Sequence, residues 1–315
     1  MAAKTRPGNA PLFQRLWEYQ RERFPLFAYA PLVAAFTFSA AAYSRVLRGA
    51  WGPVPAAPLV VGIYTALVFF FLLRVLDEHK DAETDRRYRP ELPVPRGLVS
   101  LTELRLVGGA ALALAVLLNV RVVPALLPTC LVLTLWTALM TREFFLRDWL
   151  RARPTAYMLS HMLVMPLIDA YTTGLDWTVA HVRPEPGLWF FLVVTFLNGT
   201  LMEVGRKTRA LDDEREGVDT YSKAWGVHGA PRVWLGVLAL TTAMAWLAAH
   251  SAGAGWISVG LLALLTILAA IPALAFDRQP TGEHAERLAM ASGLWTLAVY
   301  LLLGAGPFVA RMLRH

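Results

Sequence analysis

Arg74-Val-Leu-Asp77-Glu-His-Lys-Asp81-Ala-Glu-Thr-Asp85-Arg-Arg-Tyr-Arg-Pro90 closes a long apolar run, and its three aspartates recur at four-residue intervals. On a helix, side chains four apart stack on one face, so Asp77, Asp81 and Asp85 form one acidic stripe at the end of an apolar segment. Three like charges in a row repel, and a helix gains nothing from the pattern unless a cation neutralises it. Magnesium bridging to a substrate diphosphate fits, because this hard ion takes a few carboxylates and leaves its other positions to phosphate oxygens and water. The alternative is a solvated helix end whose acids pair with Lys80, Arg86, Arg87 and Arg89.

The rest of the chain is that of an integral membrane protein. Of its 315 residues 56% are hydrophobic and 17% charged, and the mean hydropathy is +0.46. Runs long enough to cross a bilayer, about 20 residues each, lie near 25–45, 57–76, 104–121, 123–141, 156–177, 188–205, 232–250, 255–276 and 289–311. The fold class these imply is all-α, a polytopic bundle of about nine transmembrane helices around a central cavity. No cleavable signal peptide is apparent, because the first 24 residues are polar and basic. Residues 1–24 read as a cytoplasmic amphipathic segment, with Leu12, Phe13, Leu16 and Trp17 interleaved with Arg15, Glu18, Arg21 and Glu22 in an interfacial helix. Residues 25–315 form the transmembrane domain.

Basic residues set the orientation. Lys4, Arg6, Arg15, Arg21 and Arg23 precede the first span; Lys80, Arg86, Arg87, Arg89 and Arg96 follow the second; Arg142, Arg147, Arg151 and Arg153 follow the fourth; Arg206, Lys207, Arg209, Arg215 and Lys223 follow the sixth. The alternate connections hold only Arg45 and Arg48, then Arg121, then Arg183. The amino terminus is therefore expected in the cytoplasm and the carboxyl terminus outside, in a bacterial inner (plasma) membrane. The net charge of +7 belongs to these loops, which sit against anionic headgroups. No segment is large enough to be a basic nucleic-acid-binding domain. The single cysteine, Cys130, excludes an intrachain disulfide and a cysteine-based metal site.

The connections after the second and sixth spans are long and dense in acids and bases, which puts the chemistry on the cytoplasmic side. The second reads Glu203-Val-Gly-Arg-Lys-Thr-Arg-Ala-Leu-Asp-Asp-Glu-Arg-Glu-Gly-Val-Asp-Thr-Tyr-Ser-Lys-Ala-Trp-Gly226. Asp212, Asp213, Glu214 and Glu216 offer further oxygen ligands, and Arg206, Lys207 and Arg209 offer charge-assisted donors for a diphosphate.

With these motifs the chain resembles the UbiA superfamily of intramembrane prenyltransferases over its full length. That family's first motif, Asn-x-x-x-Asp-x-x-x-Asp followed by a Pro-containing turn and a Gly, is similar to Asp77, Asp81 and Asp85, then Arg89-Pro90, then Leu92-Pro-Val-Pro-Arg-Gly97, with Asp77 where most members have Asn. Its second motif, Asp-x-x-x-Asp ahead of Gly-x-x-Thr/Ser, aligns on Asp213, Gly217, Val218 and Thr220. Four residues before Asp213 stands Arg209, where the family has its other Asp. Either Glu203 or Asp212 substitutes as ligand, or Arg209 holds the diphosphate directly. The resemblance implies a divergent branch in which Asp77, Asp81, Asp85 and Asp213 are catalytic. Mg2+ would then be bound among Asp77, Asp81, Asp85, Glu203, Asp212 and Asp213.

Intramembrane polar residues are the other candidates, since each is costly in hydrocarbon. His161 and Asp169 lie eight apart in the fifth span and could be a proton acceptor with its orienting carboxylate, a pair lining an acceptor pocket, or a structural pair. Asn198 in the sixth span is a cavity candidate or helix-to-helix glue. Arg142, at the end of the fourth span, could reach the same diphosphate or serve only as a positive-inside residue. The function implied is Mg-dependent transfer of an isoprenyl group from a prenyl diphosphate to a lipophilic, aromatic acceptor. The alternatives are a terpene cyclase of the same fold, which needs no acceptor, and a transporter with the carboxylates as an ion path. A transporter calls for acids near the bilayer midplane, whereas these stripes lie at span ends.

Overall fold

A backbone N–H or C=O in lipid has no water to bond, so each apolar run satisfies its own groups by coiling into a helix. The computed structural model describes residues 10–50 and 52–313, and among them helices are the only regular structure. In chain order they are α1 (Leu12–Arg23), α2 (Leu26–Leu47), α3 (Ala56–Lys80), α4 (Ala82–Tyr88), α5 (Leu101–Val122), α6 (Leu127–Thr141), α7 (Arg147–Arg151), α8 (Pro154–Met162), α9 (Val164–Trp177), α10 (Leu188–Arg206), α11 (Tyr221–Trp225), α12 (Gly229–Ser251), α13 (Trp256–Arg278), α14 (Gly282–Tyr300) and α15 (Gly306–Met312). Lys4, Arg6 and the terminal His315 lie outside the described residues.

Eight helical stretches are long and apolar enough to cross a membrane: α2, α3, α5, α10, α12, α13, Pro124–Thr141 with α6, and Gly282–Met312 with α14 and α15. They match eight of the nine expected spans. The ninth, expected as one helix over 156–177, is instead α8 and α9 meeting at Leu163. Pro166 is the physical reason: it offers no N–H to the Met162 carbonyl, and its ring crowds that oxygen.

The two ends of the bundle are chemically distinct. At one end Asp176, fully buried, accepts two bonds of 2.7 Å from Arg48 and one of 3.0 Å from each of Arg45 and Ser44. Arg311 in α15 donates to the Val46 carbonyl at this same end, 2.9 Å away. Asp77, Asp81 and Asp85 lie at the other end, where α2 begins. A chain that enters α2 at the acid end and leaves α15 at the opposite one makes an odd number of traverses. The α8–α9 pair therefore counts as one, which makes nine among the described residues.

Helix α10 is the axis of the bundle and packs on α12, α14, α9 and α8. Gly205 allows this: a Cβ there would lie 2.0 Å from the Ser292 hydroxyl of α14. In that gap the Trp234 indole N–H of α12 reaches both the Leu201 carbonyl (3.1 Å) and Ser292 (3.0 Å). Tyr171 donates to Asn119 (2.7 Å), whose amide donates to Thr65 (2.8 Å), joining α9, α5 and α3 through a satisfied polar chain. Outward-facing Leu106, Leu131, Leu135, Ile257 and Ile267 on α5, α6 and α13 are exposed, the arrangement expected of a lipid-facing surface.

Candidate active site

The acidic stripe forms although the helix does not run straight through it. Helix α3 stops at Lys80 and α4 starts at Ala82, yet the bonds Asp81 N–Asp77 O (2.9 Å), Asp85 N–Asp81 O (2.7 Å) and Arg89 N–Asp85 O (2.8 Å) keep the four-residue register. The carboxylates nevertheless differ. Asp77 is open, Asp81 is half-buried, and neither has an ion-pair partner among the described residues. Asp85 is 2% exposed and ion-paired with Arg89. Burial raises its carboxyl above the ordinary aspartate range and the Arg89 charge pulls it back. Glu78, one residue off the stripe, is 1% exposed and bound by Arg23 of α1 (2.7 Å) and Arg74 (3.4 Å). The four-residue reading passed it over because Glu78 falls on the neighbouring helical face.

The end of α10 closes the opposite side. Glu203 accepts from Arg206 at 2.6 Å and from Lys207 at 2.8 Å, so this carboxylate is neutralised by its own helix. Asp77 lies in the electrostatic field of Arg74, Lys80, Asp81 and Arg206, which joins the ends of α3 and α10 in one cluster. Tyr157, His161 and Tyr221 complete it, each within the field of Glu203. Lys80, not singled out from sequence as a site residue, is held by His161: Lys80 Nζ donates to Nε2 (3.1 Å) and lies over the Tyr157 ring, while Nδ1–H donates to the Tyr157 carbonyl (2.8 Å). With the Nδ1 proton on the carbonyl, Nε2 is the acceptor.

The loop after α10 folds back on itself. Tyr221 N donates to the Lys207 carbonyl (3.0 Å), Arg209 N to Ser222 Oγ (2.9 Å), and Thr220 caps α11 through Lys223 N (3.2 Å). Gly217 has φ +71° and sits directly on the Tyr88 ring of α4, where a Cβ would lie 2.3 Å from the ring. The two charged loops therefore touch, and only glycine fits the contact. Asp213 points at the start of α14, its carboxylate against Gly282, and Asp212 is exposed. The Arg209 guanidinium bonds the neighbouring Thr208 carbonyl (3.3 Å). Asp212, Asp213 and Arg209 are thus on the loop beside the stripe, with other partners.

Among the described residues no three His, Cys, Asp or Glu side chains are grouped closely enough to hold a metal ion by themselves. Magnesium does not require such a cage: it is commonly bound by one or two carboxylates with substrate phosphates and water completing the shell. Asp77 and Asp81, unpaired and four residues apart, fit that requirement; Asp85 and Glu203, each already ion-paired, fit it less well.

Next to Lys80, a cavity of about 360 Å³ is lined by His79, Lys80, Thr141, Arg142, Glu143 and Arg147. Glu143 begins a stretch of strained backbone. Glu143, Phe144 and Phe145 have φ of 47°, 52° and 60°, a left-handed turn of three non-glycine residues that costs roughly 1–2 kcal/mol each. The turn tucks Phe144 against Trp136 and His161 and leaves Glu143 5% exposed.

One sequence reading needs correction. His161 and Asp169 are not a pair: His161 is bonded to Lys80 and Tyr157, whereas Asp169 accepts from Thr172 (3.0 Å) and from Tyr300 of α14. The Leu163 break between α8 and α9 separates them. Asn198 is inside the bundle, accepting from the Trp295 indole N–H at 3.1 Å, as helix-to-helix glue does.

No protein-family model matches the sequence, and no curated protein matches it significantly. Solved structures do. A UbiA homologue from Aeropyrum pernix K1 in its apo form is 15% identical, with a TM-score of 0.66 over 90% of this chain and 98% of its own. A structure of a digeranylgeranylglyceryl phosphate synthase in membranes is 14% identical, with a TM-score of 0.65 over 94% and 99%. A UbiA homologue from Archaeoglobus fulgidus bound to DMAPP and Mg2+ is 13% identical, with a TM-score of 0.55 over 90% and 98%. The chain has the UbiA fold.

Proposed function

We propose that this integral membrane protein is a prenyltransferase that binds a prenyl diphosphate at the acid end of its bundle and transfers the isoprenyl group to a lipophilic acceptor. The observation that carries the reading is the meeting, at the end of α3, of two carboxylates that have no ion-pair partner among the described residues, Asp77 and Asp81, with Lys80 and with the cations Arg206 and Lys207 at the end of α10. Carboxylates alone would repel a diphosphate and cations alone would not recruit a metal; the mixture suits a metal–diphosphate. The solved relatives support it, one being a synthase and one holding DMAPP and Mg2+.

Asp77 and Asp81 would hold Mg2+ against the diphosphate, and magnesium when bound supplies charge neutralisation for the leaving group. Lys80, fixed by His161, and Arg206 and Lys207, fixed by Glu203, aim preorganised positive charge at the same oxygens. Arg142 and Arg209 are further diphosphate contacts in this reading. Asp212 and Asp213 become ligands only when the loop carrying them turns towards α3. Gly217 keeps that loop against Tyr88 and so near the stripe. The membrane is a bacterial plasma membrane, with the acid end cytoplasmic.

The test is product analysis of purified protein given a panel of prenyl diphosphates and Mg2+, with and without a lipid extract. Prenylated lipid formed only with the extract is the expected result. A cyclic hydrocarbon formed without it would make the protein a terpene cyclase, and no diphosphate release under either condition would reject the reading.

A further inference from the structure

Glu78 carries a buried charge that the proposed reaction does not use. It is 1% exposed, and its Oε1 accepts from Arg23 Nε of α1 at 2.7 Å. Tyr19 of α1, also 1% exposed, packs with Val75 of α3 and lies within the field of Glu78. A carboxylate closed in this way presents no oxygen to an ion on the open face of the stripe.

Arg74 stands between two acids. It precedes Asp77 by three residues and Glu78 by four, and both spacings bring side chains together on a helix. Its Nε lies 3.4 Å from Glu78 Oε1 and makes no hydrogen bond, and Glu78 Oε2 makes none either. Among the charges acting on Asp77, that of Arg74 is the largest. An N–H left unbonded where water is excluded is costly, so this guanidinium goes to whichever carboxylate is held near it. The held one is Glu78, which Arg23 fixes from α1, whereas Asp77 is exposed at the rim.

We infer that Glu78 is a positioning residue: by holding Arg74 it keeps Asp77 unpaired and available to a divalent cation. This role rests on the reading of Asp77 and Asp81 as magnesium ligands. An amide at position 77 would carry no charge for Arg74 to seek; the carboxylate that stands there does, and Glu78 takes the guanidinium away from it.

Binding of Mn2+ to the detergent-solubilised full chain, followed by the electron paramagnetic resonance of the free ion with no diphosphate present, tests this. Glu78→Gln should weaken Mn2+ binding about fivefold, the size expected of one ion pair with an exposed partner. Arg74→Gln added to Glu78→Gln should restore the wild-type affinity, because the competing guanidinium is gone. In an Asp77→Asn background, Glu78→Gln should cause no further loss. Unchanged affinity in Glu78→Gln, or a double variant that binds no better than Glu78→Gln, overturns the inference. A further loss in the Asp77→Asn background would mean that Glu78 acts through its field alone and overturns it as well. So does weaker binding by Arg74→Gln alone, a variant that leaves Glu78 paired with Arg23 and does not depend on Glu78→Gln folding. Geranylgeranyl diphosphate added to the same samples separates this role from donor binding. The expected variant pattern with Mn2+, but no response to the diphosphate, would refute donor binding and leave the role of Glu78 standing; donor binding with Mn2+ affinity indifferent to Glu78→Gln would do the reverse.

Discussion

Asp77, Asp81 and Asp85 look alike in sequence and differ in what surrounds them. Asp77 and Asp81 keep free carboxylates, whereas Asp85 is buried and paired with Arg89. Asp77→Asn and Asp81→Asn should therefore each lower diphosphate release by about 100-fold or more with an unchanged Tm. Asp85→Asn should instead lower Tm, because Arg89 loses its partner at a cost of about 1–3 kcal/mol. Thermal unfolding beside a turnover assay separates the two; a Tm loss in Asp81→Asn, or none in Asp85→Asn, would contradict this division. The stripe itself was legible because four-residue spacing is a property of the chain. Which aspartate is paired was not legible, since Arg86, Arg87 and Arg89 all follow within four residues and only burial selects among them. Lys80 escaped for a related reason: its partner His161 is 81 residues away, and the apparent partner Asp169 lies beyond a helix break that Pro166 creates.

The element that reports on this end of the molecule is α1. Arg15 grips Glu103 of α5 at 2.6 and 3.0 Å, Arg23 grips Glu78 of α3, and Arg96 holds Glu18 (2.8 Å) and Glu22 (2.7 Å). Phe13 and Trp17 of α1 and Phe27 of α2 form an exposed aromatic row. The amphipathic pattern of residues 11–23 was readable in sequence; its cross-links were not, because they join residues 55 to 88 positions apart. The Arg96 guanidinium holds the Glu22 carboxyl below its ordinary value. A carboxyl depressed in the folded state contributes stability above its unfolded pKa and loses it as pH falls through the folded value. A spin label at Arg21, with Cys130 replaced, should stay immobilised at neutral pH and become mobile only once the pH falls below the ordinary glutamate range. Arg96→Gln should show a mobile fraction already at neutral pH. Identical spectra for both proteins across that range would show that Arg96 does not anchor α1.

At the scale of the whole molecule the spans were legible because hydrocarbon leaves a backbone no choice but the helix, and eight of them fell where hydropathy put them. The fifth was seen as a span but not as two helices. Nine traverses set Arg311 at the end opposite Asp81, so with Cys130 replaced, cysteines at Glu216 and Met312, both exposed, should react from opposite sides of the membrane. Labelling of both by an impermeant reagent outside intact cells would reject the topology. Magnesium-dependent binding of a prenyl diphosphate at the acid end is measured by titration calorimetry with geranylgeranyl diphosphate. Wild type should show saturable binding with Mg2+ that disappears in chelator and in Asp81→Asn. Binding of equal strength in chelator and in Asp81→Asn, or no binding by wild type at all, would contradict the account.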